Sequence, residues 1–149
     1  MPLLEPFEPL GSRAAEQERG PRALVLEVGA DRYAVALEQV RVVVDAPLLT
    51  RVPDAPRAVL GVVNVRGEVV AVLDTGAALG IHPVGGAPFA AVVETAAGPV
   101  GLAASAVPRT GLLGAAIGAS ELLAGAGRHR VEDEVVVLLD VDALAEAAT

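Results

Sequence analysis

The residues with the clearest chemical potential form one short run, Val72-Leu73-Asp74-Thr75-Gly76-Ala77. Asp-Thr-Gly, with apolar residues before it and a small residue after, suits acid–base work on a peptide bond. That chemistry needs two carboxylates facing each other and sharing one proton, because neighbouring like charges cannot both ionise. One carboxylate then activates water while the other stays protonated. The chain holds a single copy of the run, so such a dyad requires a homodimer, with Leu112-Leu113-Gly114 as a possible apolar brace. The competing reading is mechanical: Asp74 caps a following helical turn by accepting backbone N–H bonds.

The first reading makes the chain a homodimeric aspartic protease using Asp74-Thr75-Gly76. Three-residue motifs arise by chance in Ala- and Gly-rich sequences, which weighs against it. Other chemistry is thin. His82 and His129 lie far apart in sequence with no third ligand near either, so no metal site is expected. Ser105 and Ser120 lack a G-x-S-x-G setting. Gly111-Leu112-Leu113-Gly114 lacks the Gly-Lys-Ser/Thr end of a phosphate loop. The one acidic cluster, Glu132-Asp133-Glu134, reads as a solvated hairpin turn. No cofactor is implied.

The elements that must position these residues centre on Val59 to Gly80. Two Val-rich runs flank Asn64-Val65-Arg66-Gly67, predicting strand, tight turn, strand, then a helical turn over Thr75 to Leu79. Before it, 23–28 and 32–36 predict a hairpin around Gly29-Ala30-Asp31. A third strand follows over 41–44, then a proline-bearing connector from Pro47 to Pro56. Residues 82–88 read as a linker. Beyond it, 89–94 and 99–103 predict another strand pair, and 104–113 is ambiguous. A short helix capped by Ser120, a loop over Gly125 to Arg130, a strand over Glu134 to Asp140 and a closing helix over Val141 to Ala147 complete the chain. Many short strands joined by tight turns predict an all-β fold of barrels. The halves resemble each other: Leu73-Asp74 plus a helical turn ends one, Leu139-Asp140 plus a helix the other.

Composition narrows the partners. Of 149 residues, 53% are hydrophobic and only 2% aromatic, so the core must be built from Val, Leu and Ala. A net charge of −8 argues against nucleic acid, whose phosphates demand basic patches. No apolar run is long enough for a membrane span, so no direct membrane insertion is expected. The absence of Cys fits a reducing compartment, and no secretory signal opens the chain, so the cytoplasm is the expected location. Residues 1–21, rich in Pro, Glu and Gly, are expected to form a flexible arm, with Phe7 the one aromatic in it.

Val59 to Gly80 also resembles the CheW family of chemotaxis coupling proteins. The family pattern has Gly, an apolar stretch, Asn-Leu-Arg-Gly, a strand, Asp-Leu-Arg and an apolar-Gly end. Gly61, Asn64, Val65, Arg66, Gly67, Asp74, Leu79 and Gly80 fall in those places. The match extends back through Pro56, Val40 and Tyr33-Ala34-Val35, and forward through Val92-Val93, Val100-Gly101-Leu102, Gly127 and Val135 to Leu144.

The resemblance implies two intertwined SH3-like five-stranded β-barrel lobes with short helices, over 22–149. Residues 22–36 with 89–149 are expected to form one lobe and 37–88 the other. It implies no catalysis, and an adaptor coupling a CheA-type histidine kinase, through its regulatory domain, to the cytoplasmic tip of a chemoreceptor. By position, Asn64, Arg66 and Gly67 would form the receptor-facing turn, with Val40 and Val42 on the same face. Gly61, Asp74 and Gly80 would be turn or cap residues. Arg66 has an alternative role, bracing nearby carbonyls or Asp74. The chain departs from the family at Val42, where Glu is usual, at Ala71, at Thr75-Gly76 and at Ala104-Ser105. Those departures raise the alternative of a divergent CheW-like regulator that has lost ordinary receptor coupling.

Overall fold

A computed structural model describes residues 20–122 and 124–148. Most of the expected arm, with Phe7, lies outside the described residues. Ten strands carry the fold. β1 (Arg22–Val28) and β2 (Asp31–Ala36) form a hairpin, and a 3-10 turn, Leu37–Gln39, leads into β3 (Val40–Asp45). β4 (Val59–Val65), β5 (Glu68–Leu73) and the one-turn helix α1 (Thr75–Ala78) follow. The second half runs β6 (Phe89–Thr95), β7 (Gly98–Ala104), β8 (Arg109–Gly118), β9 (Gly125–Val131), β10 (Glu134–Leu139) and α2 (Val141–Ala147).

These strands build two five-stranded lobes of the SH3-like kind. Lobe A is a closed barrel in the order β1-β2-β10-β9-β8. Lobe B is a sheet in the order β3-β6-β7-β5-β4. The connector after β3 touches the edge of lobe B: Thr50 and Val62 exchange backbone hydrogen bonds of 2.8 Å in each direction.

Period-two alternation sorts the side chains into three cores. Ala23, Val25, Ala34, Val131 and Val136 fill lobe A. Val63, Val70, Val72, Ala90, Val92 and Ala103 fill lobe B. The largest core lies between the lobes, where Leu24, Leu26 and Val35 meet Leu73, Val93 and Leu102, with Leu79 beside α1 and Val141 and Leu144 from α2. Each fully buried Val or Leu stabilises the fold by about 1.5–3 kcal/mol. This interlobe layer makes the two lobes one packed unit.

The expected lobe boundary does not hold. β6 and β7 belong with β3, β4 and β5, because Ala90, Val92 and Ala103 face the lobe B core and β7 runs parallel to β5. Parallel pairing joins segments distant in the chain, so no local pattern announces it. Three local expectations also change. Residues 125–131 form β9, not a loop; their pairing with the Val-rich β10 overrides the weak strand preference of Gly-Ala-Gly-Arg-His-Arg. The ambiguous stretch divides: Ala104 ends β7, and residues 109–113 begin the ten-residue β8. Ser120 caps no helix: its hydroxyl accepts the Leu122 N–H at 3.1 Å in an irregular turn.

Candidate partner-binding site

The β4–β5 hairpin positions most of the expected site. Val65 pairs with Glu68, leaving Arg66 and Gly67 as a two-residue turn. Both have positive φ, 52° and 86°, as a type I′ turn requires. The Asn64 side-chain oxygen accepts the Gly67 N–H at 2.8 Å and fixes that geometry. Asn or Gly is the usual occupant of the position Arg66 holds; a long side chain such as Arg costs roughly 1–2 kcal/mol in left-handed backbone. Among the described residues the Arg66 guanidinium has no hydrogen-bond or ion-pair partner. Bracing is therefore not what it does here. The six residues of β5 put the turn about 20 Å from Asp74.

Beside the turn lies exposed apolar surface. Val69 is 66% exposed and pairs with Asn64 across the hairpin. The neighbouring pair, Val62 and Ala71, is half-buried. Asn64, Arg66 and Val69 thus form one surface with a cation, an amide and an apolar side chain.

Val40 and Val42 do not share a face. The register of β3 against β6 shifts between them, Val40 pairing with Val93 and Val42 with Val92. This bulge sends Val40 toward the interlobe core and Val42 toward the lobe B core. Both are half-buried packing residues rather than a patch. In particular, Val42 turns part of its apolar side chain into the lobe B core rather than presenting all of it where the family pattern has a charge.

What joins β3 to the hairpin is Arg41, which the sequence reading passed over. Its guanidinium meets the Glu68 carboxylate at 2.6 Å, one residue beyond the turn, and also pairs with Glu94 on β6. The hydrogen bond to Glu68, with help from Glu94, raises the Arg41 pKa above its ordinary value. The partners lie far apart in the chain, so only their charges hinted at them. A second network joins Glu27, Arg32, Glu134, Arg109 and Glu132. The acidic cluster is thus partly neutralised by arginines rather than only solvated.

At the other end of the hairpin, Asp74 is 3% exposed. One oxygen accepts the Ala77 N–H at 3.1 Å and caps α1. The carboxylate also accepts the Val84 N–H at 2.9 and 3.0 Å and the Gly85 N–H at 3.1 Å. Backbone donors occupy both oxygens, which leaves no face for a catalytic water or a second carboxylate. The Thr75 hydroxyl donates to the Ala103 carbonyl at 2.7 Å. The run that suggested hydrolysis is a helix start tied to its surroundings.

Gly61 and Gly80 also sit where geometry demands them. A Cβ at position 61 would lie 2.7 Å from the Thr50 carbonyl oxygen, so the connector could not close against β4. Gly80, at φ 76°, ends α1, with its N–H donating to Ala77 and the Ile81 N–H to Gly76. Ser105, another departure, accepts the Gly29 N–H on its hydroxyl at 2.9 Å. The His129 Nδ1 donates to the Gly114 carbonyl at 2.9 Å, and no group of His, Asp and Glu suited to a metal occurs among the described residues.

The lobe order, the interlobe core and the hairpin motif agree with one family. The model of the CheW-like domain matches residues 22–149. The chain belongs to the CheW-like domain family. Its fold is similar to the crystal structure of the scaffolding protein TtCheW from Thermoanaerobacter tengcongensis, with a TM-score of 0.73 and 19% identity. That likeness covers 84% of this chain and 92% of the other. A search of curated protein sequences finds no match. No helix among the described residues of this CheW-like chain is long and apolar enough to cross a membrane.

Proposed function

We propose that this CheW-like protein is a non-catalytic adaptor that couples a CheA-type histidine kinase, through its regulatory domain, to the cytoplasmic tip of a chemoreceptor. The reading rests on the family match, and one observation gives it a site. Arg66 holds an unfavourable backbone conformation with a free guanidinium, beside exposed Val69. The turn needs the positive φ but not an arginine, and an exposed guanidinium kept at such a position without an internal partner points to an external one. A receptor tip is a helical surface, and Asn64, Arg66 and Val69 offer it hydrogen bonds, charge and apolar contact. An end of a lobe would take the homologous kinase domain, through edges that pair or pack modestly. Two such contacts on one body assemble partners through avidity.

The departures from the family pattern do not favour a regulator without coupling. Val42 packs in the lobe B core, Ala71 is half-buried, Gly76 admits a neighbouring carbonyl, and Ser105 holds the β1–β2 turn. All four serve the fold. The test is titration of a receptor cytoplasmic tip with the protein and with Val69→Asp. Micromolar binding that Val69→Asp weakens, with native circular dichroism, supports the reading. Equal binding by both proteins would move the site elsewhere.

A further inference from the structure

Two parts of the chain repeat each other in structure. β4 and β5 recur as β9 and β10, each 66 residues further on and of the same length. Arg66 and Glu132 hold matching positive φ, 52° and 56°. The Asp74 N–H donates to the Ala58 carbonyl at 2.7 Å, and the Asp140 N–H to the Ala124 carbonyl at 2.8 Å. The first hairpins match as well: β2 runs parallel to β10 with Tyr33 opposite Val137, and β7 runs parallel to β5 with Val100 opposite Ala71. The chain is thus two tandem units, β1 to α1 and β6 to α2. The lobes are not these units. Each lobe joins the hairpin of one unit to the three remaining strands of the other. One crossing, residues 79–88, links the two.

The crossing is where the equivalent residues Asp74 and Asp140 differ. Each caps its helix at 3.1 Å, through the N–H of Ala77 or Ala143. Among the described residues the Asp140 side chain does nothing more. Asp74 also holds the Val84 and Gly85 N–H groups of the crossing. Gly76 lets the His82 carbonyl approach α1, where a Cβ would overlap it. The Asp-Thr-Gly run therefore folds the crossing back onto the first unit.

We propose that Asp74 and Gly76 form a latch that keeps the two units of one chain together and prevents their exchange with a second copy of this chain. With the crossing open, the first unit of one copy can complete both lobes with the second unit of another. Both lobes and the interlobe core would be rebuilt from the same contacts, so the two arrangements differ chiefly in the crossing. Ten extended residues span about 33 Å, enough to link adjacent molecules. The tether favours the single chain up to an effective concentration on the order of millimolar. The latch adds to that preference, since its bonds form only when the crossing is folded back.

The test refolds the full chain from denaturant at high concentration and measures mass by light scattering, before and after dilution. Asp74→Asn keeps an oxygen for the cap but turns a donor toward the crossing; Gly76→Ala blocks the His82 carbonyl. Both are expected to shift from monomer to dimer mass with native circular dichroism. The dimer should survive dilution, because separating exchanged units requires unfolding. Wild type and Asp140→Asn should give no dimer that survives dilution. The proposal is overturned if both latch variants keep the wild-type mass, or if their dimers dissociate on dilution. It is equally overturned if Asp140→Asn or wild type forms persistent dimers as readily, or if neither latch variant regains native circular dichroism.

Discussion

Arg41 and Glu68 lie 2.6 Å apart although they are 27 positions apart in the chain, and their ion pair ties the start of β3 to the tip of the β4–β5 hairpin. Both side chains are partly exposed, so solvent screens the pair. Arg41→Ala is expected to lower the urea midpoint modestly, and high salt should shrink the difference from wild type. Denaturation at low and high ionic strength measures both.

Arg66 separates folding from binding. Arg66→Asn installs Asn-Gly, the pair a type I′ turn prefers, and should stabilise the protein by about 1 kcal/mol. The same change removes the free guanidinium and should weaken the receptor contact. Thermal melting and titration on one sample check the two opposite directions.

Val40 tests the bulge in β3. Val40→Asp places a carboxylate against the interlobe core with no partner and should cost about 2 kcal/mol or more. Loss of stability with loss of native circular dichroism is expected. An intact fold with weakened partner binding would instead make Val40 a surface residue.

Gly61 tests the close approach of the connector. Gly61→Ala sets a Cβ against the Thr50 carbonyl and should destabilise by about 1–3 kcal/mol, the range for overpacking. Urea denaturation gives the value, and hydrogen exchange at Thr50 and Val62 should show the pair opening.

Tyr33 is the single tyrosine in a chain without tryptophan, so its ionisation can be followed alone. Burial, aided by Asp31, raises its pKa above the ordinary value of about 10. The neutral phenol is the form the fold favours. Its contribution is full below the unfolded pKa and is lost as pH rises through the higher folded value. Tyrosinate absorbance should therefore appear later in the native protein than in urea, and stability should fall only in strong alkali.

The hairpins were legible in the sequence because they are local. Apolar, β-prone runs on either side of Arg66-Gly67 and of Gly29-Ala30-Asp31 specify strand, turn and strand without distant help. The closing helix was legible over Val141 to Ala147, and the structure supplies its reasons: Asp140 caps it and Val141, Leu144 and Ala145 are buried. β9 was not, since its Gly, Arg and His residues become a strand only beside β10. The lobe boundary was hidden because hairpins and lobes come from different units. The resemblance of Leu73-Asp74 to Leu139-Asp140 was a true sign of repetition, but repeated units and lobes need not coincide. The turn of the site was visible as Asn64-Arg66-Gly67. Arg41, Glu68 and Val69 were not, because an ion pair across strands and an exposed face depend on register. A one-residue bulge was enough to part Val40 from Val42.

The most direct test of the adaptor reading is titration calorimetry of the full chain against the regulatory domain of a CheA-type kinase. A saturable contact in the micromolar range, about −8 kcal/mol, is the predicted result, with the receptor tip still able to bind the complex. No binding by a protein of native circular dichroism would contradict it.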